Sequence, residues 1–534
     1  MRKIGDLAVR TVDYSFVFIL TVIIFSAIVG FSEWISNGII KYVLITLSLI
    51  VVACFVIFGE RILKKLFAVG NIINGVSTFK LGIILFLFVF FSKVFFVFLF
   101  NNDADKTIDM RLYKSFATQL ANNGVITDNV EPALLYKYQV IYGLFLSPVI
   151  RIFGNDSRVL TSFLSLLFAV LSVLLYDIMR KHVGKNKAFW GLLLFNVLPV
   201  GLFETQLLIH ETPLLFFYIT SFWILIKCLD NSFNIIVRAL ALLISAVLIG
   251  FGSKINYGGS VVIISYVFFV LIMAVKEKVT IRALLKCGYI IACYAVCFVV
   301  ISSICDSFVN NHVIVPKNKE SAIEKSIYYD VELGWPIFLG TNLERTGHWN
   351  AEDAEIYNKY KEFETKEEAQ NYIKGLINDR LQLFKDNPLL IPGHLFNKIK
   401  GLWGSPQLPF AYEEGNSINE FVLYGVHGII YKGIMILSYW VFILLCAFIL
   451  FSHNRHKNID LDSFYTPVTQ FKMMIIGITL ALFLFEVMPK YVSHMQIIMF
   501  CIGIFSFSNF MDNSFRIHNK ITSKFRLKNL YKAG

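Results

Sequence analysis

The amino-acid sequence predicts an all-α polytopic membrane protein of about twelve transmembrane helices, and three observations carry that reading. Hydrophobic residues make up 56% of the 534, charged residues only 16%, and mean hydropathy is +0.65, a balance that fits helices solvated by lipid. Apolar runs recur at membrane length: a hydrocarbon core about 30 Å thick needs roughly 20 helical residues per crossing, and residues 81–100 are one such run. The net charge of +12 is segregated, at Arg2, Lys3 and Arg10, at Arg61, Lys64, Lys65 and Lys80, and at Arg180, Lys181, Lys185 and Lys187. It recurs at Lys276, Lys278 and Arg282, at Arg455 and Lys457, and in the tail from Lys520 to Lys532. Clusters between apolar runs are the positive-inside pattern, so they point to the cytoplasmic face of a bilayer and away from nucleic acid.

Each element follows in order. Residues 12–31 show no obvious small-residue cleavage site and are soon followed by a second run, 39–58, so they read as a first transmembrane helix and not as a removable leader. Run 81–100 then leads outward and leaves the polar stretch 101–131 outside. Residues 138–153 would make about 24 Å of helix and contain Pro148 and Arg151. Their crossing would put the Arg180 to Lys187 cluster outside, so they read as a juxtamembrane or re-entrant helix, with 159–179 as the next inward crossing. Further crossings are expected at 188–206, 213–229, 238–252, 260–275, 286–305, 426–451, 471–485 and 492–510, with both termini inside.

The domain division is then an N-terminal helix pair at 1–80, a transmembrane core at 81–305 with a first external loop at 101–158, an external lobe at 306–425, and C-terminal helices with a basic tail at 426–534. Within the lobe, Thr365 and Glu368 have capping-box spacing, a helical pattern runs to Lys385, and Asn387-Pro388 stops it. Trp335, Trp349, Trp403 and Ile391-Pro392-Gly393 suggest a mainly helical lobe leaning on the membrane surface. Most of the eight cysteines fall inside apolar runs, which implies no disulfide framework.

Several motifs carry chemistry. Asp103-Ala104-Asp105 has D-x-D spacing, which suits a divalent metal held against a diphosphate and equally suits a solvated pair of loop carboxylates. His210-Glu211-Thr212 is not a zinc motif, because the second His of H-E-x-x-H is absent and Pro213 would disturb the helix; a polar turn between helices is the plain alternative to a functional pair. His453 and His456 sit in a short basic loop and read as solvated surface. Glu486 and Lys490 flank an outer turn. A charge at a helix centre in the membrane costs on the order of 2.5–3.5 kcal/mol and is normally kept for pairing or function, with interfacial snorkelling as the other reading.

The order of features resembles the GT-C-fold glycosyltransferases that use polyprenyl-phosphate sugars, the group of the dolichyl-phosphate-mannose protein mannosyltransferases and bacterial aminoarabinose transferases. The residues that carry it are Asp109-Met110-Arg111-Leu112-Tyr113 followed by Ala117, Leu120 and Gly124, with Met110 where a second acid is usual. Tyr136-Lys137-Tyr138-Gln139, the Ile152-Phe153-Gly154 turn with Arg158, Glu211, and Glu486 with Lys490-Tyr491 continue it, while a double proline is reduced to Pro132. The resemblance implies a GT-C-like fold and transfer of a hexose or pentose, with inversion, from a polyprenyl phosphate to a glycan or teichoic-acid-like acceptor outside the cell membrane. Asp109 would be the base, with Asp103 and Asp105 as the competing acids. Arg111, Lys137, Arg158 and Lys490 would face the departing phosphate, and Tyr113, His210, Glu211, Glu486 and Tyr491 would complete the substrate site. A divalent metal stays open as a cofactor.

Sparse proline with abundant Lys, Ile, Asn and Phe point to a low-GC bacterium decorating a cell-envelope polysaccharide. Two other classes share parts of the pattern. A polysaccharide polymerase or ligase acting on lipid diphosphate has similar helices and a long external loop, but it lacks the first-loop acid with its Tyr, Ala, Leu and Gly trailer. A transporter would place charges along a mid-membrane path and often shows internal repeats; no repeat stands out here.

Overall fold

A helix satisfies its own backbone hydrogen bonds, which is why lipid-embedded chain adopts it. The computed structural model describes residues 2–35, 42–43, 45–50, 73–99, 108–198, 201–202, 204–229, 234–256, 258–276, 281–315, 334–343, 347, 351–363, 365–404, 426–455, 467–485, 492 and 494–508. The first part comprises α1 (Arg2–Ile35), α2 (Thr78–Leu99), α3 (Ile108–Asn123), α4 (Val130–Leu135), α5 (Lys137–Phe153), α6 (Ser157–Val183) and α7 (Lys185–Val197). Next come α8 (Glu211–Leu229), α9 (Ile235–Ile255), α10 (Gly259–Lys276) and α11 (Ile281–His312). A lobe follows, with α12 (Gly334–Gly340), α13 (Ala351–Glu362), α14 (Lys366–Asp386) and α15 (Leu390–Trp403). Then come α16 (Val426–Arg455), α17 (Pro467–Leu482) and α18 (Gln496–Ser508).

Among the described residues, six helices are long and apolar enough to cross a membrane, lying in α1, α2, α6, α8, α9 and α11; shorter apolar helices lie in α10, α16, α17 and α18. Of the expected run 39–58, only 42–43 and 45–50 are described. The burial pattern fits lipid outside the bundle: on α2, Leu81, Leu85 and Val89 are buried while Phe91, Phe95 and Phe98 stand exposed. Of the helix pair expected at 1–80, α1 packs on α10, α15, α16 and α17. Lys472 Nζ reaches Asp13 Oδ1 at 2.6 Å, and the Tyr439 hydroxyl donates to the Ala27 carbonyl.

Three expectations need correction. The run 188–206 is not one helix: α7 ends at Val197, Leu198 is extended (φ −66°, ψ 147°), and 204–210 is irregular. Leu198 precedes Pro199, and a residue before proline is pushed out of the helical region. The core helix expected to stop at residue 305 runs on to His312. Trp403, expected at the membrane surface, is fully buried and stacks on Phe442 with centroids 5.6 Å apart. Trp335 is described in backbone only, and Trp349 lies outside the described residues.

The helical part of the lobe follows its sequence signals. Thr365 Oγ1 accepts from Glu368 N at 3.3 Å, and the Asn387 amide closes α14 on Leu383 O at 3.0 Å. Phe338, Leu339, Ala369 and Ile373 form a small core between α12 and α14. The buried Lys398 of α15 donates to the carbonyls of Leu482, Phe483 and Phe485, the open acceptors at the end of α17.

The first loop is built against the core by a close helix pair. Met110, Tyr113, Phe116, Ala117 and Leu120 bury one face of α3, which packs on α5. Gly124 (φ +73°) ends α3 in the left-handed region, its amide bonded to Leu120 O at 3.2 Å. Gly143 of α5 lets the helices meet, since a Cβ there would lie 2.9 Å from Phe116 Cβ and 3.1 Å from Ala117 N. Ile126 then bridges Val313, with Ile126 N to His312 O at 2.7 Å and Ile314 N to Ile126 O at 2.9 Å, so the first loop lies against the end of α11 where the lobe begins. Gly143→Ala should destabilise the purified protein by about 1–3 kcal/mol through overpacking. Gly288→Ala, where nothing lies within 4 Å, should be neutral or mildly stabilising in the same thermal melt.

Candidate active site

Two helix starts and one irregular segment converge at the first loop. Asp109 occupies the first turn of α3 and is half-buried. Glu211 occupies the first turn of α8 and is fully buried. Unpaired amides at a helix start favour a carboxylate, which accounts for acids in both places. Pro213 does not disturb α8 as expected: the helix begins with Leu214 N to His210 O at 3.1 Å, and a first-turn proline sacrifices no helical hydrogen bond.

Between the two acids lies an aromatic cluster around His210. The rings of Tyr113, Tyr138 and Tyr142 sit 5.6, 5.5 and 6.1 Å from the imidazole. The Tyr142 hydroxyl donates to Ile209 O at 3.0 Å and so fixes the residue before His210. Gly258 N donates to Asn256 Oδ1 at 2.8 Å, which turns the Asn256 amide nitrogen toward His210 Nε2 at 2.7 Å. Nε2 therefore accepts, the ring is neutral with its proton on Nδ1, and the 3.7 Å approach of Glu211 Oε1 is a contact with an uncharged imidazole. Burial pushes the Tyr113 phenol well above its ordinary value, with Tyr138, Asp109, Glu211 and Tyr142 adding to the effect. Tyr113 thus stays protonated, within electrostatic reach of both acids.

Behind this cluster is a buried pair of ionisable residues that sequence reasoning passed over inside apolar runs. Lys93, in the last third of α2, has no exposed surface; its Nζ donates to Gly201 O and lies 4.1 Å from the Phe168 ring centroid. Glu204, in the irregular segment, is 2% exposed and interacts electrostatically with Lys93 and Glu211. Gln206 Nε2 donates to Lys93 O at 3.3 Å, and Thr205 Oγ1 pairs with Ser165 Oγ at 2.9 Å. The signal that could have found them was a lone charge in each run, which lipid would not tolerate unpaired.

Other anticipated residues are more dispersed. Arg111 is exposed on α3, two residues past Asp109, and Lys137 opens α5 beside Tyr138. Arg158 is bound to Asp156 at 2.7 Å and holds that carboxyl below the usual carboxylate range. Asp103, Asp105, Glu486, Lys490 and Tyr491 lie outside the described residues. Among the described residues no three His, Cys, Asp or Glu side chains gather as a metal-binding group.

An acid at a helix start, a fixed neutral imidazole and buried phenols, all at one end of an apolar bundle, suit transfer chemistry at a membrane face. Residues 140–304 match the dolichyl-phosphate-mannose-protein mannosyltransferase family. The matched segment runs from α5 into α11 and contains His210, Glu211 and Glu204, while Asp109 and Lys93 precede it. No curated protein matches the chain. The mannosyltransferase match and the apolar helices together support an integral membrane glycosyltransferase of the mannosyltransferase type.

Lys93→Met should destabilise the protein by about 1–3 kcal/mol, because the Gly201 carbonyl would be left buried without its donor. Lys93→Met with Glu204→Met should recover only the share of that loss that the electrostatic coupling of the two residues carries. A double-mutant cycle on thermal inactivation in detergent measures the coupling.

Proposed function

We propose that the protein transfers a sugar from a polyprenyl-phosphate donor to a cell-envelope acceptor at the extracytoplasmic face of a bacterial membrane, through a GT-C-like bundle of about twelve crossings. The observation that carries this reading is the convergence of first-turn Asp109 with Tyr113, His210 and Glu211, part of which falls in the mannosyltransferase match. That family's name points to a lipid-linked sugar as donor. Such a donor brings its own leaving group, so the protein has to supply a base for the acceptor and cations for the phosphate.

In the proposed step the acceptor hydroxyl oxygen attacks the anomeric carbon, the bond from that carbon to the phosphate oxygen breaks, and the phosphate leaves with the bonding electron pair. The hydroxyl proton passes to Asp109, and the anomeric centre inverts. Asp109 suits the role better than Glu211 because it is half-buried, within reach of an entering hydroxyl, whereas Glu211 is sealed beneath His210. Glu211 and Tyr113 hold the cluster, and Arg111 and Lys137 stand at the same end of α3 and α5 for the phosphate. Arg158, Glu486, Lys490 and Tyr491 complete the proposed substrate site, and Asp103 with Asp105 remain the competing acids.

Asp109→Asn keeps the size and removes the basicity. Sugar transfer from a polyprenyl-phosphate donor should fall at least 100-fold, on the order of the loss of a general base, with expression unchanged. Normal transfer by Asp109→Asn, with Asp103→Asn or Asp105→Asn inactive, would move the base to the D-x-D pair. Sidedness is tested separately by cysteine labelling of intact cells. Glu352→Cys should label from outside and Lys181→Cys only after permeabilisation; the reverse result would invert the orientation.

A further inference from the structure

The lobe carries an apolar corner where α14 turns into α15. Residues 387–397 hold no Asp, Glu, Lys or Arg. At the tip Leu389 is 91% exposed, Leu390 and Ile391 are 41% and 40% exposed, and Pro388 and Pro392 are exposed beside them. The buried side of α15 is spent on the protein: His394 Nε2 donates to Gly340 O at 3.1 Å, and Lys398 holds the carbonyls at the end of α17.

A contact with a membrane-length helix sets the depth of α15. The Phe396 ring packs on Phe25 with centroids 5.8 Å apart, and a Cβ at Gly30 would lie 2.6 Å from Gly404 O. Both partners belong to the apolar stretch Leu7–Gly30 of α1, with Phe25 about 7.5 Å of helix before its end. That is the depth at which an amphipathic helix lies in the boundary between headgroups and acyl chains. Phe25 and Phe18, both exposed, continue the same apolar surface along α1. The backbone of the corner also suits lipid, where an unbonded amide is costly. Asn387, Leu390 and Ile391 donate their amides to Leu383 O, Asn387 O and Pro388 O at 3.0, 3.0 and 3.2 Å, and Pro388 and Pro392 have none to donate.

We propose that this corner inserts into the acyl-chain region of the leaflet on the lobe's side, with lipid as its occupant. In the orientation proposed above that leaflet is the outer one; the measurement of depth does not depend on it. Because the tip and the grips of His394 and Lys398 lie on one helix, the anchor fixes the height of the lobe over the end of α17.

The test reads depth at the tip. Full-length Leu389→Cys is labelled with a nitroxide and reconstituted in liposomes of phosphatidylcholine and phosphatidylglycerol, and wild-type protein labelled in parallel corrects for the native cysteines. Oxygen concentrates in the bilayer and a nickel chelate in water, so the ratio of their collision rates with the nitroxide rises with depth. The ratio at Leu389→Cys should shift from that of Glu352→Cys, exposed on α13, to a value nearer that of Phe18→Cys, exposed within α1. A ratio nearer that of Glu352→Cys would place the corner in water and overturn the proposal. Few collisions with either reagent would show that protein covers the corner, a second copy if dipolar broadening accompanies them, and would overturn it equally. If Leu389→Cys does not fold, Ile391→Cys decides it by the same outcomes.

Discussion

The buried side chain of Lys93 is the constraint on which the candidate site depends. An unpaired charge in the middle of an apolar helix and a stretch of unwound backbone are each costly in lipid, where no water can satisfy them. Here each answers the other. Lys93 donates to the carbonyl of Gly201, just past the break after α7, and interacts electrostatically with Glu204. Gln206 returns a bond to the backbone of Lys93, so α2 and the unwound segment are tied at more than one point. The break can then persist inside the bundle and deliver His210 and Glu211 to the start of α8.

From that anchor the site is assembled by packing. Gly143 brings α5 against α3 and sets Tyr142 beside Tyr113, with ring centroids 5.1 Å apart. Asn256 meets the imidazole at Nε2, and the Tyr142 hydroxyl fixes the Ile209 carbonyl just before it. The bridge between Ile126 and Val313 ties the first loop to the end of α11, so the acid-bearing helix α3 and the beginning of the lobe belong to one end of the molecule. Lys398 performs a related service in the lobe, closing the carbonyl end of α17 with a buried ammonium. Both lysines are donors to carbonyls that a helix cannot satisfy by itself.

The two ends of α8 differ in chemistry. The end bearing Glu211 is acidic, aromatic and closed around His210; the end bearing Lys227 is basic and open. A helix start favours carboxylates and a helix end favours cations, so the same macrodipole supports both arrangements. A single helix thus carries two chemically distinct ends through the bundle.

Class and local elements were legible in the residues themselves, for physical reasons. Hydropathy reports transfer into lipid, and most expected crossings coincide with described apolar helices. Thr365 and Asn387 bound α14 because capping chemistry is local. Asp109 at a helix start was readable from its trailer to Gly124, since i, i+4 spacing defines a face whatever surrounds it. The pairing of Lys93 with Glu204 was not legible: 111 positions separate them, and a lone charge in an apolar run calls for a partner without saying which residue it is. Pro199 marks the break after Leu198, but hydropathy scores composition, and the irregular residues beyond it read the same as a helix. Only the tertiary structure could decide that residues 204–210 stay irregular inside the bundle, because they are held there by contacts with α2, a helix distant in sequence.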